Sequence, residues 1–333
     1  MVRVRFAPSP TGSLHIGNAL SATANRRFAD EHDGVMLLRI DDTDAERSAP
    51  GGEQAILDDL EWLGVGWDEG PVRQSERGGR YREAVERLGV TRFEGITLVR
   101  EDGSATYQLA SVVDDGDFGI THVIRGNDHR PNEAIHRRLH AALGTPAPEY
   151  LHHGLILGDD GKKLSKRAEG ATVASLRDAG IPAEAVHAYL EELGLPRHDV
   201  RLDLPRIRRL AIEAIEALPA EELARRAGAD PQYVPVMRGA RDLVEARAYA
   251  DLVAEPLPYA AADVETLARF RELAALPPRD LVRELRAAGG SLKELRLALT
   301  GRPAGPELSA ILAALPKEEA LRRVDQALQH AQP

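Results

Sequence analysis

A histidine placed two residues before a glycine, where a strand-like run meets a helix-like run, could bind the phosphates of a nucleotide. Residues 5–18 read RFAPSPTGSLHIGN, so two prolines and a glycine turn separate the two runs. Backbone N–H groups at a helix N-terminus attract anions, and the Thr11 and Ser13 hydroxyls are close by in the chain. We expect His15 to point at the phosphates and Gly17 to let the nucleotide approach the backbone. An isolated His-x-Gly is more often a surface turn, so the whole string needs an explanation.

A cationic segment further along could serve the same phosphates. Residues 161–167 read GKKLSKR and place four cations in six positions. Nucleotidyl transfer increases the charge on phosphate oxygens, and lysines that meet this charge mainly in the transition state lower the barrier. Such a cluster alone is more often a solvated turn. Combined with the upstream histidine segment, it predicts a catalytic role for Lys163 and Lys166.

Composition limits the classes of protein to consider. The chain has 333 residues, 43% of them hydrophobic, which is enough for two or three domains. It has no cysteine, which excludes disulfides and thiolate zinc sites, and we expect no zinc and no other metal site. A net charge of −10 argues against a protein that coats nucleic acid through bulk charge, so an RNA partner would need local arginine patches.

The chain shows no targeting signal. Its N-terminus alternates like a strand and lacks the apolar core of a signal peptide, and no stretch is long and apolar enough to span a bilayer. We therefore expect a cytoplasmic monomer without membrane contact.

Short β-rich runs alternate with helical runs through the first half of the chain. The first are residues 2–7 and 35–40, with helical runs at 14–29 and 53–63, and the rhythm resumes with runs at 105–113 and 120–124, a helix at 132–143 and a run at 150–157. This order predicts a parallel sheet wrapped by helices. From residue 171 onward helical periodicity dominates. The predicted fold is α/β, a Rossmann-like parallel-sheet nucleotide-binding domain followed by an all-α module.

Six ordered motifs resemble the glutamyl-tRNA synthetase branch of the class I aminoacyl-tRNA synthetases. Residues 5–17 are similar to the family's N-terminal signature, and residues 163–167, KLSKR, to its Lys-Met-Ser-Lys-Ser-type loop. The intervening matches are LRIDDTD at 38–44, GWDEGP at 66–71, ATYQLA with VVDD at 105–115, and THVIRGNDH at 121–129. The resemblance covers residues 1–195 closely.

The resemblance implies a role for each matching residue. The implied glutamate pocket consists of Arg5, Ala7, Ser9, Asp41, Tyr107 and Arg125. The implied ATP site consists of Thr11, His15, Gly17, Asn18, Leu155, Ile156, Lys163 and Lys166, with Leu155 and Ile156 presenting backbone to adenine. The residue types agree, because arginines can hold carboxylates and an aspartate can hold an ammonium. Two structural alternatives remain: Arg125 could pair with Asp114 or Asp115, and Tyr107 could be a half-buried strand tyrosine.

The chain also departs from the family. Asp41 stands where the family usually has glutamate, Asn127 replaces a glutamate, and Ser111 replaces a larger side chain. The insertion that grips the tRNA acceptor end is almost absent. We therefore expect a catalytic domain at 1–170 with a vestigial insertion near 86–104, a stem-contact helical segment at 171–200, and a contracted helical anticodon-binding-like domain at 201–333.

The resemblance implies that the chain ligates glutamate to tRNA(Glu) through a glutamyl-adenylate, with ATP and Mg²⁺. Two alternatives remain open: a paralogue that gives the acyl group to a modified tRNA base or a small amine, and a non-catalytic tRNA-binding protein. Arginines of the helical half are candidate contacts for the tRNA backbone. They are Arg206, Arg208, Arg209, Arg225, Arg226, Arg241, Arg322 and Arg323.

Overall fold

The chain divides into two compact units. A computed structural model describes residues 1–44, 46, 48–162, 164–165 and 168–330. The first unit comprises Met1–Asp178 and Val186–Leu204, and the second comprises Ala179–Ala185 and Pro205–Pro333.

A parallel sheet forms the centre of the first unit. Strands β1 (Arg3–Phe6), β2 (Val35–Ile40) and β3 (Glu69–Arg73) pair in that order, all parallel. Strand β2 reads VMLLRI and is buried almost throughout, as a strand covered on both faces must be. Strands β6 (His122–Gly126) and β7 (Glu149–His153) form a second parallel pair beside β1, where Thr121 N donates to Arg3 O at 2.9 Å. The predicted parallel-sheet fold is confirmed.

Helices cover this sheet. They are α1 (Ile16–Glu31), α2 (Gly52–Leu63), α3 (Gly78–Leu88), α4 (Tyr107–Asp117), α5 (Glu133–Leu143) and α6 (Val173–Asp178). Short 3-10 helices at Gln74–Arg77 and Asn127–Asn132 follow β3 and β6. Because the strands run parallel, the carboxyl ends of β1, β2 and β6 meet at one edge, where ligands of such sheets bind.

Two predicted β-rich runs differ from the structure. The run at 105–113 is not a strand but the start of α4, because Leu109, Val112 and Val113 recur at helical spacing and pack against α3 and α5. The run at 150–157 divides into β7 and β8 (Ile156–Leu157), and β8 pairs in parallel with β9 (Val200–Arg201). A Cβ on Gly154 would lie 1.9 Å from His198 O, so only glycine fits at this division.

The short polar segment after α3 is a β-hairpin. Strands β4 (Arg92–Phe93) and β5 (Ile96–Thr97) pair antiparallel, and the turn residues Glu94 and Gly95 have φ angles of 47° and 83°. Leu98 follows the hairpin and is fully buried among the side chains that α3, α4 and α5 share. The segment is therefore attached to the domain core.

The second unit is built of helices. They are α8 (Leu204–Ala217), α9 (Ala220–Ala227), α10 (Val234–Met237), α11 (Leu243–Ala254), α12 (Val264–Leu273), α13 (Pro278–Ala287), α14 (Leu292–Thr300), α15 (Leu308–Ala314) and α16 (Lys317–His330). Helix α7 (Ala183–Leu193) begins in the second unit and ends in the first. The larger apolar core of the second unit includes Leu267, Phe270, Leu295 and Ile311. The predicted all-α character is confirmed, and none of the described helices has the length and apolarity that crossing a bilayer requires.

We predict that Leu98→Ala lowers the free energy of unfolding of the protein by about 3 kcal/mol, because a large buried side chain leaves a cavity. Ile96→Ala, at a position 36% exposed on the same hairpin, should cost less than about 1 kcal/mol. Urea unfolding followed by circular dichroism measures both. Equal losses would mean that Leu98 is not part of the core.

Candidate functional site

A cavity of about 630 Å³ opens at the carboxyl edge of the sheet. Its lining includes all twelve predicted site residues that the structure describes: Arg5, Ala7, Ser9, Thr11, His15, Gly17, Asn18, Asp41, Tyr107, Arg125, Leu155 and Ile156. The other two, Lys163 and Lys166, lie outside the described residues. The sheet topology thus gathers residues that are up to about 150 positions apart in the chain, and the roles assigned to them remain predictions.

Arg125 is a buried cation without a carboxylate partner in the described part of the chain. Its Nη1 donates to Tyr107 Oη at 3.1 Å, its Nε donates to His152 Nε2 at 3.4 Å, and its guanidinium lies 5.0 Å from the centre of the Tyr150 ring. Its Nη2 is buried and donates to no described group. Burial lowers the pKa of Arg125, and the charge of Arg5 adds to this effect.

The alternative ion pair of Arg125 with Asp114 or Asp115 is wrong, because other arginines occupy both carboxylates. Asp114 accepts from Arg77 Nε at 2.7 Å, and Asp115 accepts from Arg39 Nη1 at 2.8 Å. The strand alternative for Tyr107 is also wrong, since Tyr107 is the first residue of α4. Burial raises the pKa of the Tyr107 hydroxyl, which therefore stays protonated and can act as a donor.

Asp41 is held from inside the protein. Arg39 donates from Nε to Asp41 Oδ1 at 2.6 Å and from Nη2 to Oδ2 at 3.1 Å, a forked contact that engages both oxygens. Burial raises the pKa of Asp41, although the neighbouring Arg39 opposes the shift. A substrate ammonium at Asp41 would therefore share a carboxylate that Arg39 already orients.

Arg39 and Asp115 are site residues that the sequence reasoning missed. Arg39 is 1% exposed and Asp115 is 2% exposed. Asp115 Oδ1 also accepts from Arg5 Nε at 3.3 Å. Burial opposes the charged forms, but Arg5 and Arg39 hold the pKa of Asp115 below its ordinary value. One signal was present: an arginine within the apolar strand VMLLRI requires buried carboxylate partners.

The predicted phosphate end differs in detail from the expectation. His15 caps α1, and its Nδ1 accepts from Gly17 N at 3.1 Å, so its Nε2 carries the proton and donates to Leu164 O at 3.0 Å. Ile16 N donates to Ala171 O, so the first N–H groups of α1 already have acceptors inside the protein. The expectation of free N–H groups there is wrong for this conformation.

Ser13 does not line the cavity. Its hydroxyl donates to Asp59 Oδ2 at 2.6 Å, and Leu14 N donates to the same oxygen at 2.7 Å. Asp59 is completely buried, so this pair fixes the loop that enters α1. The expected contribution of the Ser13 hydroxyl to a phosphate site is therefore wrong, while Thr11 lies at the cavity wall.

The backbone predicted to meet adenine is also partly engaged. Leu155 N donates to Asp199 Oδ1 at 2.9 Å, and Leu155 O accepts from Val200 N at 2.9 Å. Asp199 Oδ1 also accepts from Asn127 Nδ2 at 2.8 Å. The backbone of Leu155 therefore holds the β8 segment against residues 199–200 in this conformation.

Comparison with known proteins shows the family of this chain. The family described as "tRNA synthetases class I (E and Q), catalytic domain" matches residues 1–92 and 89–203. The chain belongs to the class I tRNA synthetases. The description "Anticodon binding domain" matches residues 287–328 of the same synthetase chain. The resemblance drawn from the motifs is confirmed.

Curated relatives span nearly the whole synthetase chain. Glutamate--tRNA ligase 1 of Rubrobacter xylanophilus is 35% identical over 430 aligned positions, which cover 98% of this chain and 97% of the relative. Glutamate--tRNA ligase of Akkermansia muciniphila is 31% identical over 425 positions, covering 97% of this chain and 98% of the relative. Both alignments are longer than the 333 residues of this chain, so the relatives carry segments that it lacks.

The fold has been seen in a solved synthetase. The crystal structure of a glutamate tRNA ligase from Elizabethkingia meningosepticum in complex with its amino acid superposes with a TM-score of 0.79 at 22% identity. The match covers 99% of this chain and 100% of that one. At this identity the likeness shows the shared fold.

Neutral imidazoles form the wall behind Tyr107 and Arg125. His136 is 1% exposed, its Nε2 is 2.6 Å from Gln108 Oε1, and its ring centre is 5.6 Å from that of Tyr107. Burial, reinforced by the charge of Arg125, lowers the pKa of His136 to about 3. The same two causes lower the pKa of His152 to about 4. The wall therefore adds no positive charge near neutral pH.

We predict that His136 makes the folded protein sensitive to mild acid. The unfolded chain binds a proton at this residue below its ordinary pKa of 6.5, whereas the folded protein does so only near pH 3. Stability due to neutral His136 is therefore complete above pH 6.5 and is lost as the pH falls towards 3. Between pH 7.5 and 4.5 this residue should cost about 3 kcal/mol of unfolding free energy.

Urea unfolding of the protein and of its His136→Gln variant at both pH values measures this cost. On acidification the variant should lose about 3 kcal/mol less unfolding free energy than the unsubstituted protein, because the two proteins share all other titrating groups. Parallel losses in the two proteins would show that His136 is not buried in its neutral form.

Proposed function

We propose that this protein is a glutamate–tRNA ligase, which uses ATP to form a glutamyl-adenylate and then transfers the glutamyl group to tRNA(Glu). The curated relatives carry this activity in their names, and the chain aligns with them over nearly their full length. The observation that carries the proposal is the unpaired, buried Arg125 in the wall of a cavity that also contains Arg5 and Asp41. A carboxylate would supply the acceptor that Arg125 lacks.

The balance of buried charge favours glutamate over glutamine. Five ionic side chains form the network at this end of the cavity, namely Arg5, Arg39, Arg125, Asp41 and Asp115. Asp114 also lies 3.7 Å from Arg39, but its charge is balanced by Arg77. The charges of the five leave an excess of one positive charge, since three are cations and two are anions. Glutamate carries a net charge of −1 and neutralises this excess, whereas glutamine carries none. An uncompensated buried charge is costly, so the pocket should reject the amide.

Positioning and charge stabilisation would drive the first step. The α-carboxylate of glutamate attacks the α-phosphate of ATP, the bond to the β-phosphate oxygen breaks, and pyrophosphate leaves with the negative charge. No side-chain nucleophile is needed for this in-line exchange. Lys163 and Lys166 are assigned to the phosphates from the sequence alone.

Magnesium would enter with ATP. Within the described residues no group of three or more His, Asp or Glu side chains could hold a metal ion. Mg²⁺ is commonly bound through substrate phosphates with one or two carboxylates, so the ion would be held mainly by ATP.

In the second step the 2′-hydroxyl of the terminal ribose of tRNA would attack the glutamyl carbonyl, forming the ester while the bond to the phosphate breaks and AMP leaves. We assign the backbone contacts to exposed arginines of the second unit. Arg323 is excluded, because it is 7% exposed and donates to the carbonyls of Val253 and Leu299 at 2.8 Å. Arg225, Arg241 and Arg322 pair with glutamates three or four residues away, contacts that are weak in water and can give way to phosphates.

The short β4–β5 hairpin favours a second candidate. By the resemblance drawn from the motifs, it stands where the family carries its insertion for the tRNA acceptor end. The alignments with relatives also exceed the length of this chain. A paralogue that forms the adenylate and gives the acyl group to a modified tRNA base or small amine would not need that grip. A non-catalytic tRNA-binding protein is the third candidate.

We predict that the purified protein catalyses glutamate-dependent ATP–pyrophosphate exchange and charges total tRNA with labelled glutamate in an alkali-labile ester. Exchange is measured with and without tRNA, and with glutamate, glutamine or aspartate as the amino acid. Exchange without a labile ester would favour the acyl-transfer paralogue. Silence in both assays would leave the tRNA-binding protein.

We predict that Arg125→Gln raises the KM for glutamate about 100-fold in the exchange assay, because a charge-assisted hydrogen bond is lost. Discrimination against glutamine should fall with it, and the KM for ATP should stay within about threefold because the change is remote from the phosphates. Arg137→Gln is the matched control, since its guanidinium also lies over the Tyr150 ring, at 4.9 Å, but its side chain is 46% exposed. Equal effects of the two substitutions would contradict the assignment.

A further inference from the structure

A continuous chain of buried ionic contacts joins two strand ends at the cavity, the end of β1 with Arg5 and the end of β2 with Asp41. It runs from Arg5 at the end of β1, through Asp115 of α4, to Arg39 of β2 and then to Asp41. The three links measure 3.3, 2.8 and 2.6 Å between donor and acceptor atoms. Arg5, Arg39 and Asp41 line the cavity, and the two members between Arg5 and Asp41 are 1–2% exposed.

Asp115 is the link between the two arginines of this chain of contacts. Its Oδ1 accepts from both Arg5 Nε and Arg39 Nη1, so the orientation of each guanidinium depends on one carboxylate oxygen. The two terminal nitrogens of Arg5 make no hydrogen bond within the described part of the chain. Asp115 therefore fixes Arg5 through Nε and leaves its outer edge available for an anion.

Arg39 distributes its donors between two carboxylates. Its Nε and Nη2 bind Asp41, its Nη1 binds Asp115, and its Nη2 also lies 3.5 Å from Ser111 Oγ. Burial opposes its charge, but Asp41, Asp115 and Asp114 together raise the pKa of Arg39 well above its ordinary value. A planar cation with five donors can hold both partners at fixed angles, which a lysine ammonium cannot do.

The neighbouring aspartates of α4, Asp114 and Asp117, make different contacts. Asp114 accepts from Arg77, Gln74 and Tyr81, contacts that fasten α4 to the segment after β3. Asp117 accepts from Arg77 and Arg80 and is 22% exposed. Neither of these two aspartates lines the cavity or touches Arg5. Among the aspartates of this helix, Asp115 alone links the helix to Arg5 in the described chain.

We propose that Asp115 and Arg39 are positioning residues for the amino-acid substrate. Asp115 orients Arg5, the arginine for a substrate carboxylate, and Arg39 orients Asp41, the acceptor for the substrate ammonium. The contact between Asp115 and Arg39 fixes the positions of Arg5 and Asp41 relative to each other. Displacement of Asp115 or of Arg39 therefore disturbs both substrate-binding groups. This inference rests on the proposed activation of glutamate, whose two ends it places.

The contacts from Arg39 are important for Asp41 because its side chain is short. The carboxylate of Asp41 is separated from its own backbone by a single methylene. A short side chain has fewer rotamers from which to reach the ammonium, and the forked contact from Arg39 selects one of them. The orientation of Asp41 therefore depends on Arg39.

The test is the split between the two Michaelis constants in ATP–pyrophosphate exchange. Asp115→Asn removes the charge that both arginines share, and we expect the KM for glutamate to rise 10- to 100-fold while the KM for ATP stays within about threefold. Asp117→Asn is the control, because it removes a carboxylate with two arginine partners from the same helix but outside the cavity. It should leave both constants within about twofold.

Arg39→Lys provides a second variant that keeps the charge. One ammonium cannot serve both carboxylates, so the same split is expected, together with a lower melting temperature because one buried carboxylate loses its partner. Asp115→Asn combined with Asp41→Asn should cost less in kcat/KM for glutamate than the product of the single effects, because the two residues act through one chain of contacts.

Three outcomes overturn the inference. The first is an equal rise in both Michaelis constants, and the second is multiplicative effects in the double variant. The third is loss of folded protein in both Asp115→Asn and Arg39→Lys while Asp117→Asn folds, because the chain of contacts would then be purely structural. Wild-type protein is assayed first. Absence of glutamate-dependent exchange there, both with and without tRNA, overturns the proposed function and the inference with it, whereas wild-type exchange without the split overturns the inference alone.

Discussion

The pairing of Arg39 with buried carboxylates is the constraint on which the rest of the site depends. A guanidinium inside a parallel sheet is tolerable only if anions surround it, and Asp41, Asp114 and Asp115 provide them from two elements. This requirement sets where α4 sits against β2, because two of the three anions belong to that helix. Removal of one partner would leave a buried charge unpaired, so the contact both stabilises the sheet edge and arranges the cavity wall.

The sheet converts this constraint into a site. Parallel strands release their chains at one edge, so Ala7, Asp41 and Arg125 emerge beside one another although they are far apart in the sequence. Helix α1 then returns from that edge, and His15 at its start ties the helix to the loop at Leu164. The cavity therefore has an ionic end, built on strand termini, and a backbone end, built on a helix cap and the β8 segment.

Much of this arrangement could be predicted from the sequence, and the failures share one cause. Strand β2 and helix α2 were predicted within a residue or two, because apolar periodicity is a local property. The helix α4 was missed because ATYQLASVV is rich in residues that also favour strands, and only packing against α3 and α5 decides between them. The partners of Arg125, Ser13 and Leu155 could not be derived, since each lies more than ten residues away along the chain.

In the described part of the chain, Arg125 has no carboxylate partner. Its neighbours are a protonated tyrosine, an imidazole with a pKa of about 4 and an aromatic face, none of which carries a compensating negative charge at neutral pH. Asp115 is already shared between Arg5 and Arg39, and a second aspartate nearby would neutralise Arg125 and close the pocket to an anionic side chain. The folded protein therefore retains a destabilising buried cation, and under the proposed function a substrate carboxylate would relieve that cost when it binds.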